Sequence, residues 1–335
     1  MKKTFILLAV IISINLCADS QALLNQNNKD CEDGNMTGCY NLEVLYYNGE
    51  IVVQDKKKAQ ELYNKSCYGG NIDACLNLGF LYSNGYGVAK DKKKAFELYT
   101  KACDNKNADA CLNLGVLYSE GEGVAQDKKK AQELYAKACD GGNNSACLNL
   151  GFLYSNGYEV AKDKKKAQEL YTKACDAGFI NGCFNLGVLY YLGDGIKQDK
   201  KKAQELYTKA CDAGFLNGCF NLAYLYFYKE EQQVSISSFL DFNYAHGKTD
   251  EKKKAKYLFE KACEGGIANS CFTLGNLFYY KKNEDKFDIS FFLDFNYKEE
   301  KAKEIEKAKN LFEKACNGGV VQGCENYKRL SSDSF

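Results

Sequence analysis

Residues 74–103 read Ala-Cys-Leu-Asn-Leu-Gly-Phe-Leu-Tyr-Ser-Asn-Gly-Tyr-Gly-Val-Ala-Lys-Asp-Lys-Lys-Lys-Ala-Phe-Glu-Leu-Tyr-Thr-Lys-Ala-Cys, and this stretch decides the fold. Ala74, Leu78, Leu81 and Tyr82 recur at helical spacing and predict an amphipathic helix, termed A. Asn84-Gly85-Tyr86-Gly87 ends it, because glycine accepts the positive φ that a helix exit commonly takes. Asp91 then stands where an N-cap is wanted, ahead of a second helix, B, whose apolar stripe is Ala95, Leu98, Tyr99 and Ala102. Helix B ends near Cys103 and the next helix A begins near Cys111, so two antiparallel helices joined by a short turn bring those sulfurs side by side.

The same plan runs through the chain. Sixteen of the 17 cysteines fall into eight pairs at spacing eight: Cys31/Cys39, Cys67/Cys75, Cys103/Cys111, Cys139/Cys147, Cys175/Cys183, Cys211/Cys219, Cys263/Cys271 and Cys316/Cys324. From Cys67 to Cys211 the pairs recur every 36 residues, and the last two intervals stretch to 52 and 53. A fixed period in this range predicts a solenoid in which each unit buries its apolar face against its neighbours. Each pair is expected to form a local disulfide, contributing roughly 2–3 kcal/mol through the unfolded chain. Neither the C-x₂₋₄-C knuckles of zinc sites nor the C-x-x-C of thiol oxidoreductases occurs.

The pattern A-C-L-N-L-G-x-L-Y-x-x-G-x-G-V…D-x-x-K-A…L-Y-x-K-A-C resembles Sel1-like repeats, relatives of the tetratricopeptide repeat. With a cysteine pair closing each unit, it resembles the Helicobacter cysteine-rich protein family of secreted repeat proteins, over about residues 25–330. The resemblance implies an all-α, right-handed α/α solenoid with local disulfides. It also implies penicillin binding and weak β-lactam hydrolysis, and names no catalytic residue.

Composition narrows the rest. Forty-five Lys+Arg against 44 Asp+Glu leave a formal charge of +1, and Arg329 is the only arginine, which argues against nucleic acid as a partner. One histidine, His246, excludes sites that need two imidazoles, and no cofactor or metal is expected. No serine has lysine three residues later and no H-E-x-x-H occurs, so the usual β-lactamase motifs are missing. Lys2 and Lys3, the apolar run Phe5–Leu16 and Ser20-Gln21-Ala22 predict a secretory signal peptide over 1–22, and hence a secreted or periplasmic protein with no membrane span. Its removal takes Cys17, two lysines and one aspartate with it, leaving an even cysteine count and no net charge. A lipoprotein reading would instead acylate Cys17, although Leu16 before it is large for that processing.

The expected organisation after 1–22 is an N-terminal capping half-repeat (23–38), repeats 1–5 and helix A of repeat 6 (39–228), and an aromatic insertion (229–250). Then come repeat 6 helix B and repeat 7 helix A (251–281), a second insertion (282–300), and repeat 7 helix B with a C-terminal cap (301–335). Helix A is expected to begin near Cys39, Cys75, Cys111, Cys147, Cys183, Cys219 and Cys271, and the capping helix at Cys324. The insertions share a motif, Ile236-Ser-Ser-Phe-Leu-Asp-Phe-Asn-Tyr244 and Ile289-Ser-Phe-Phe-Leu-Asp-Phe-Asn-Tyr297. They are read either as an exposed aromatic partner site, even as short paired strands, or as padding on the helices.

An asparagine stands two residues after most helix-A cysteines: Asn41, Asn77, Asn113, Asn149, Asn185, Asn221 and Asn326, with Thr273 the exception. Either this row lines a concave groove that holds a peptide, a peptidoglycan fragment or a protein partner, or each amide fixes the stacking of neighbouring repeats. Three residues further on, Val44, Phe80, Val116, Phe152, Val188, Tyr224 and Asn276 vary, as pockets in a groove would. Asn77, Asn113, Asn149, Asn185, Asn221, Phe80 and Phe152 are thus the candidate ligand-binding residues. Tyrosine rows on both helices are read as core, and the Lys-Lys-Lys runs that open each helix B as a solvated ridge.

Overall fold

A computed structural model of the chain describes residues 20–49, 51–157, 161–228, 250–280 and 295–332. Residues 1–19 of the expected leader, with Cys17, most of both aromatic insertions, and His246 lie outside these, whereas Ser20, Gln21 and Ala22 are the first residues of a helix. The described residues are helical with turns between, and no strand occurs among them. Helix α1 runs through 20–32. There follow α2 (Met36–Asn48), α3 (Lys56–Tyr68), α4 (Ile72–Asn84), α5 (Lys92–Asp104), α6 (Ala108–Glu120), α7 (Lys128–Asp140), α8 (Asn144–Asn156) and α9 (Lys164–Asp176). The remainder comprises α10 (Ile180–Leu192), α11 (Lys200–Asp212), α12 (Leu216–Tyr228), α13 (Asp250–Glu264), α14 (Ala268–Tyr280), α15 (Phe295–Asn317) and α16 (Val321–Ser332). The chain divides into two compact units, Met1–Leu170 and Tyr171–Phe335.

In the first unit, A helices (α2, α4, α6, α8) alternate with B helices (α3, α5, α7), each packing on the next. One repeat shows why. Asn71 caps α4 by accepting from the Ala74 N–H at 3.0 Å, and Gly85 leaves it at φ 77° while its N–H returns to the Leu81 carbonyl. Asp91 caps α5 through the N–H groups of Lys93 and Lys94. The predicted stripes are buried on both helices: Ala74, Leu78, Leu81 and Tyr82 on α4, and Ala95, Leu98, Tyr99 and Ala102 on α5. Gly79 is the contact point, since a Cβ there would fall 2.7 Å from the Tyr99 ring. Gly115 meets Tyr135 in the same way.

The second unit repeats the scheme through α10–α16, with Gly187 against Tyr207 and Gly275 against Phe312. All eight expected disulfides are present, from Cys31–Cys39 to Cys316–Cys324. Each closes the turn from one helix to the A-type helix that follows, with Cα–Cα distances of 4.4–4.7 Å. Such a framework belongs to an oxidising, extracytoplasmic environment. Among the described residues no helix is long and apolar enough to cross a membrane, and no cluster of His, Cys, Asp and Glu could hold a metal ion.

Three boundaries differ from expectation. The A helices begin three residues before the cysteines, at Met36, Ile72, Ala108 and their equivalents; in these three the capping asparagine, not the disulfide, sets the start. The C-terminal capping helix does not begin at Cys324 either. Helix α16 starts at Val321, because the N–H groups of Gly323 and Cys324 already bond the Val320 carbonyl, at 2.9 and 3.2 Å, and close the first turn ahead of the cysteine. Cys324 is also only half-buried, whereas Cys39, Cys75, Cys111, Cys147, Cys183, Cys219 and Cys271 are buried. Six of those seven, all but Cys147, stand on helices against which the following helix packs, and α16 is the last described helix. Finally, helix α15 begins at Phe295, so the end of the second insertion is helical.

A second device joins consecutive repeats. Lys65 donates to the Cys31 carbonyl at 2.9 Å, Lys101 to that of Cys67 at 2.9 Å, Lys209 to Cys175 at 3.3 Å and Lys261 to Cys211 at 3.4 Å. Each ammonium thereby serves an end-turn carbonyl of the preceding bridged helix, where the helix dipole favours a cation.

Candidate functional site

From Asn77 to Asn326 the asparagine row is half-buried, while Asn41 at its start is exposed. Asn77 on α4 donates to the Tyr40 hydroxyl of α2 at 3.3 Å and also bonds the Tyr63 hydroxyl of α3. Asn149 bonds Tyr135, Asn221 bonds Tyr207, and Asn41 donates to Asn27 of α1 at 3.4 Å. Thr273, the exception in the row, shares a hydrogen bond of 3.3 Å with Tyr224. Asn113 and Asn185 are half-buried at the same register. Desolvation raises the pKa of the B-helix phenols. Tyr99 is pushed up to about 12 although Ser83 pulls it back, and Tyr63, Tyr135 and Tyr207 are raised likewise. They remain protonated at neutral pH.

The lysine runs are not a uniform ridge. In three of the five runs the first lysine turns inward: Lys92 donates to Ser83 Oγ at 2.9 Å and pairs with Glu122, Lys128 donates to Ser119 Oγ at 2.9 Å and to its carbonyl, and Lys164 donates to Ser155 Oγ at 3.1 Å. Glu122 is held below the usual carboxylate range by its bond to Lys92. The third lysine lies over the A-helix tyrosine of its own repeat, Lys94 over Tyr82, Lys130 over Tyr118 and Lys202 over Tyr190, at 5.0–5.2 Å from the ring centroid. Lys92, Lys128 and Lys164 are half-buried, whereas the middle and third lysines of each run, and Lys56 and Lys200, are exposed as a solvated ridge would be.

Two cavities open among these residues, one in each unit. The first, about 440 Å³, is lined by Val116, Ser119, Glu120, Lys128, Tyr135, Asn149, Phe152 and Leu153. The second, about 390 Å³, is lined by Val188, Tyr191, Tyr207, Phe220, Asn221, Tyr224, Asn269, Phe272 and Thr273. They occupy the same register two repeats apart. Val116, Ser119, Tyr135, Asn149 and Phe152 correspond to Val188, Tyr191, Tyr207, Asn221 and Tyr224.

Of the candidate ligand residues, Asn149 and Phe152 therefore line the first cavity and Asn221 the second. Phe152 is 50% exposed. Asn77, Asn113 and Asn185 hold the same register on their own helices without lining either cavity, and Phe80 rests its ring against Tyr86, centroids 5.7 Å apart. Sequence reasoning passed over Ser119, Lys128, Tyr191 and Phe272. The signal for the first two was present, since a serine nine residues before a lysine recurs as Ser83/Lys92, Ser119/Lys128 and Ser155/Lys164.

The Ser119–Lys128–Tyr135 set has the residue types of an acyl-transfer site. Lys128 donates both its contacts with Ser119, and Tyr135, which also bonds Ser119, is kept protonated by burial. All sixteen described cysteines are in disulfides.

The Sel1 repeat family model matches residues 37–71, 72–107, 108–143, 144–179, 180–215, 216–228, 243–267 and 301–320. A protective antigen present in uropathogenic Escherichia coli strains, displaying an SLR fold, is similar at 25% identity and TM-score 0.67 over 91% of this chain, which spans 66% of that protein's structure. A Sel1 repeat protein from Oxalobacter formigenes is similar at 25% identity and TM-score 0.56, over 68% of this chain and 85% of that one. Helicobacter pylori cysteine rich protein B shares 34% identity over 39% of this chain and 94% of its own, with a TM-score of 0.33. No curated protein sequence matches the chain.

Proposed function

The chain belongs to the Sel1 repeat family, and on that premise we propose that it is an exported binding scaffold whose A-helix face holds a segment of a partner protein. One observation carries this reading. The positions that vary between otherwise copied repeats, Val116/Phe152 and Val188/Tyr224, sit beside an asparagine of the row at the mouth of a cavity in both units. Disulfides hold the backbone around them, so the pockets are set before a partner arrives and little ordering is lost on binding. Asn149 and Asn221 then have a double part: each amide holds a phenol of the preceding helix, Tyr135 or Tyr207, and also lines the cavity. A peptidoglycan fragment is a second occupant of the same face, read by the same amides.

The test is selection of a displayed peptide library on the disulfide-intact protein, followed by calorimetry on an enriched peptide. Phe152→Ala and Asn149→Ala should each weaken that peptide by about tenfold or more. Selection of no peptide, or affinity indifferent to substitutions in both cavities, overturns the reading.

The β-lactam activity implied by the Helicobacter cysteine-rich resemblance would require Ser119 as nucleophile, and its neighbours act as hydrogen-bond donors to it. Mass spectrometry of oxidised protein after incubation with a penicillin tests this directly. An adduct on the peptide containing Ser119 would establish it, and an unmodified chain with no turnover would remove it.

A further inference from the structure

The two cavities share a register but differ in chemistry, and the difference points to a guest. In the first unit the cavity wall carries Lys128 and Glu120. In the second no charged side chain among the described residues lines it, and rings replace smaller groups: Tyr191 stands where Ser119 does, and Phe220 and Phe272 stand where the A helices α4, α6 and α8 have Leu76, Leu112 and Leu148. Phe220 and Tyr224 already meet edge to face, centroids 4.9 Å apart.

We propose that the second-unit cavity is an anchor pocket for one uncharged aromatic side chain, an indole or a phenol, of the partner segment. This deepens the scaffold reading and rests on it. A charged guest would be desolvated against aromatic walls that offer no counter-ion. An aliphatic guest would donate nothing to the side-chain oxygens of Asn221, Asn269 and Thr273 at the wall. An indole or phenol matches both halves, its ring entering the edge-to-face cluster and its single N–H or O–H donating to a side-chain oxygen of the wall. The volume, about 390 Å³, is at the small end of the range of roughly 300–1,000 Å³ for ligand pockets, which suits one ring system and not a folded element.

The chain contains no tryptophan, so an added indole is the only one in solution. Oxidised protein is titrated with the peptide acetyl-Gly-Ser-Trp-Ser-Gly-amide, monitored by indole emission and by calorimetry, beside the same peptide with Lys, Glu or Leu at its centre and beside N-acetylglucosamine. Saturable binding of the tryptophan peptide with a blue-shifted emission is expected, and the other probes should bind roughly tenfold more weakly or worse. Tyr191→Ser and Phe272→Leu install residues that the first unit uses at the same positions, so folding should be kept, as thermal melts will confirm. Both should cost about tenfold in tryptophan-peptide affinity. Preferred binding of a charged or sugar probe, or affinity unchanged in both variants, overturns the proposal. If library-selected peptides bind but ignore Tyr191→Ser and Phe272→Leu, the scaffold reading stands and the anchor pocket falls. If no peptide binds at all, both fall.

Discussion

The ring of Tyr99 occupies the space in which a Cβ on residue 79 would lie, 2.7 Å from its Cε1. The helix A–helix B contact of this repeat is therefore made by glycine against a ring, and the separation of the two helices is fixed by it. Gly79→Ala should destabilise the protein by about 1–3 kcal/mol through overpacking, although alanine is the better helix former. A chemical-denaturation midpoint measures this, and an unchanged midpoint would mean that the ring moves aside freely.

The first repeat breaks that rule. Glu43 stands at the glycine position, is fully buried, and neither carboxyl oxygen has a hydrogen-bond partner. Desolvation raises its pKa from the ordinary 4.5 to about 9. The folded state thus holds a proton that the unfolded state releases. The protonated acid is compatible with folding below about pH 4.5, and stability then falls by about 1.4 kcal/mol per pH unit towards pH 9. Glu43→Gly, the residue of the sister repeats, should flatten this slope and add on the order of 3 kcal/mol near neutral pH, less about 1 kcal/mol for glycine in a helix. Parallel melts of both proteins at mildly acidic and mildly alkaline pH decide it, and equal gains at both would remove Glu43 as the cause.

Lys106 is the only non-glycine residue with positive φ, 65°, among the described residues. At the corresponding turns Gly34, Gly70, Gly142, Gly178, Gly214, Gly266 and Gly319 have the positive φ that an L side chain resists. Lys106→Gly should therefore stabilise the α5–α6 turn by about 1 kcal/mol. A lowered melting temperature would show that the lysine side chain contributes more than its backbone costs.

Removing one bridge as a pair, Cys103→Ala with Cys111→Ala, should cost about 2–3 kcal/mol. Hydrogen exchange should rise first in α5 and α6 and only weakly elsewhere, since neighbouring repeats keep their own bridges. Uniform acceleration along the chain would show that the repeats unfold as one.

Lys101→Met keeps the aliphatic stem but loses both the bond to the Cys67 carbonyl and the placement of the ammonium 4.8 Å from the Tyr68 ring. A loss of about 1–2 kcal/mol is expected by denaturation. A neutral result would assign the repeat interface to apolar packing alone.

Much of this architecture was legible because it is written in covalent spacing and in helix periodicity. The cysteine pairs, the Asp91 and Gly85 helix ends, and the buried rows through Leu78 and Tyr99 all follow from local rules that recur in each repeat. The helix starts were misplaced by three residues because Asn71 and its equivalents cap through a side chain whose role no apolar pattern marks. At Cys324 the same misplacement arose without any asparagine, from a backbone turn at Val320 that leaves no trace in residue type. The lysine runs were read as one surface because nothing in three identical letters says that the first faces a serine and the third a ring. Glu43 was visible as an odd residue at a glycine position, but its isolation depends on the walls that Tyr63 and its neighbours build. For the candidate site, the register of Asn149, Phe152 and Asn221 could be read, whereas the cavities also need residues from a third helix.

Each bridge closes a span of eight residues inside one turn, and none joins one A–B hairpin to the next at a distance. Under tension applied to the two ends, the load passes through every sulfur–sulfur bond in series and bypasses the bridged turns. A 36-residue repeat would then yield the 28 residues outside its bridge, roughly 100 Å of contour, and stop. The oxidised protein is in this sense a chain of links with a built-in limit of travel. It can give way one repeat at a time and recoil from the turns that never opened.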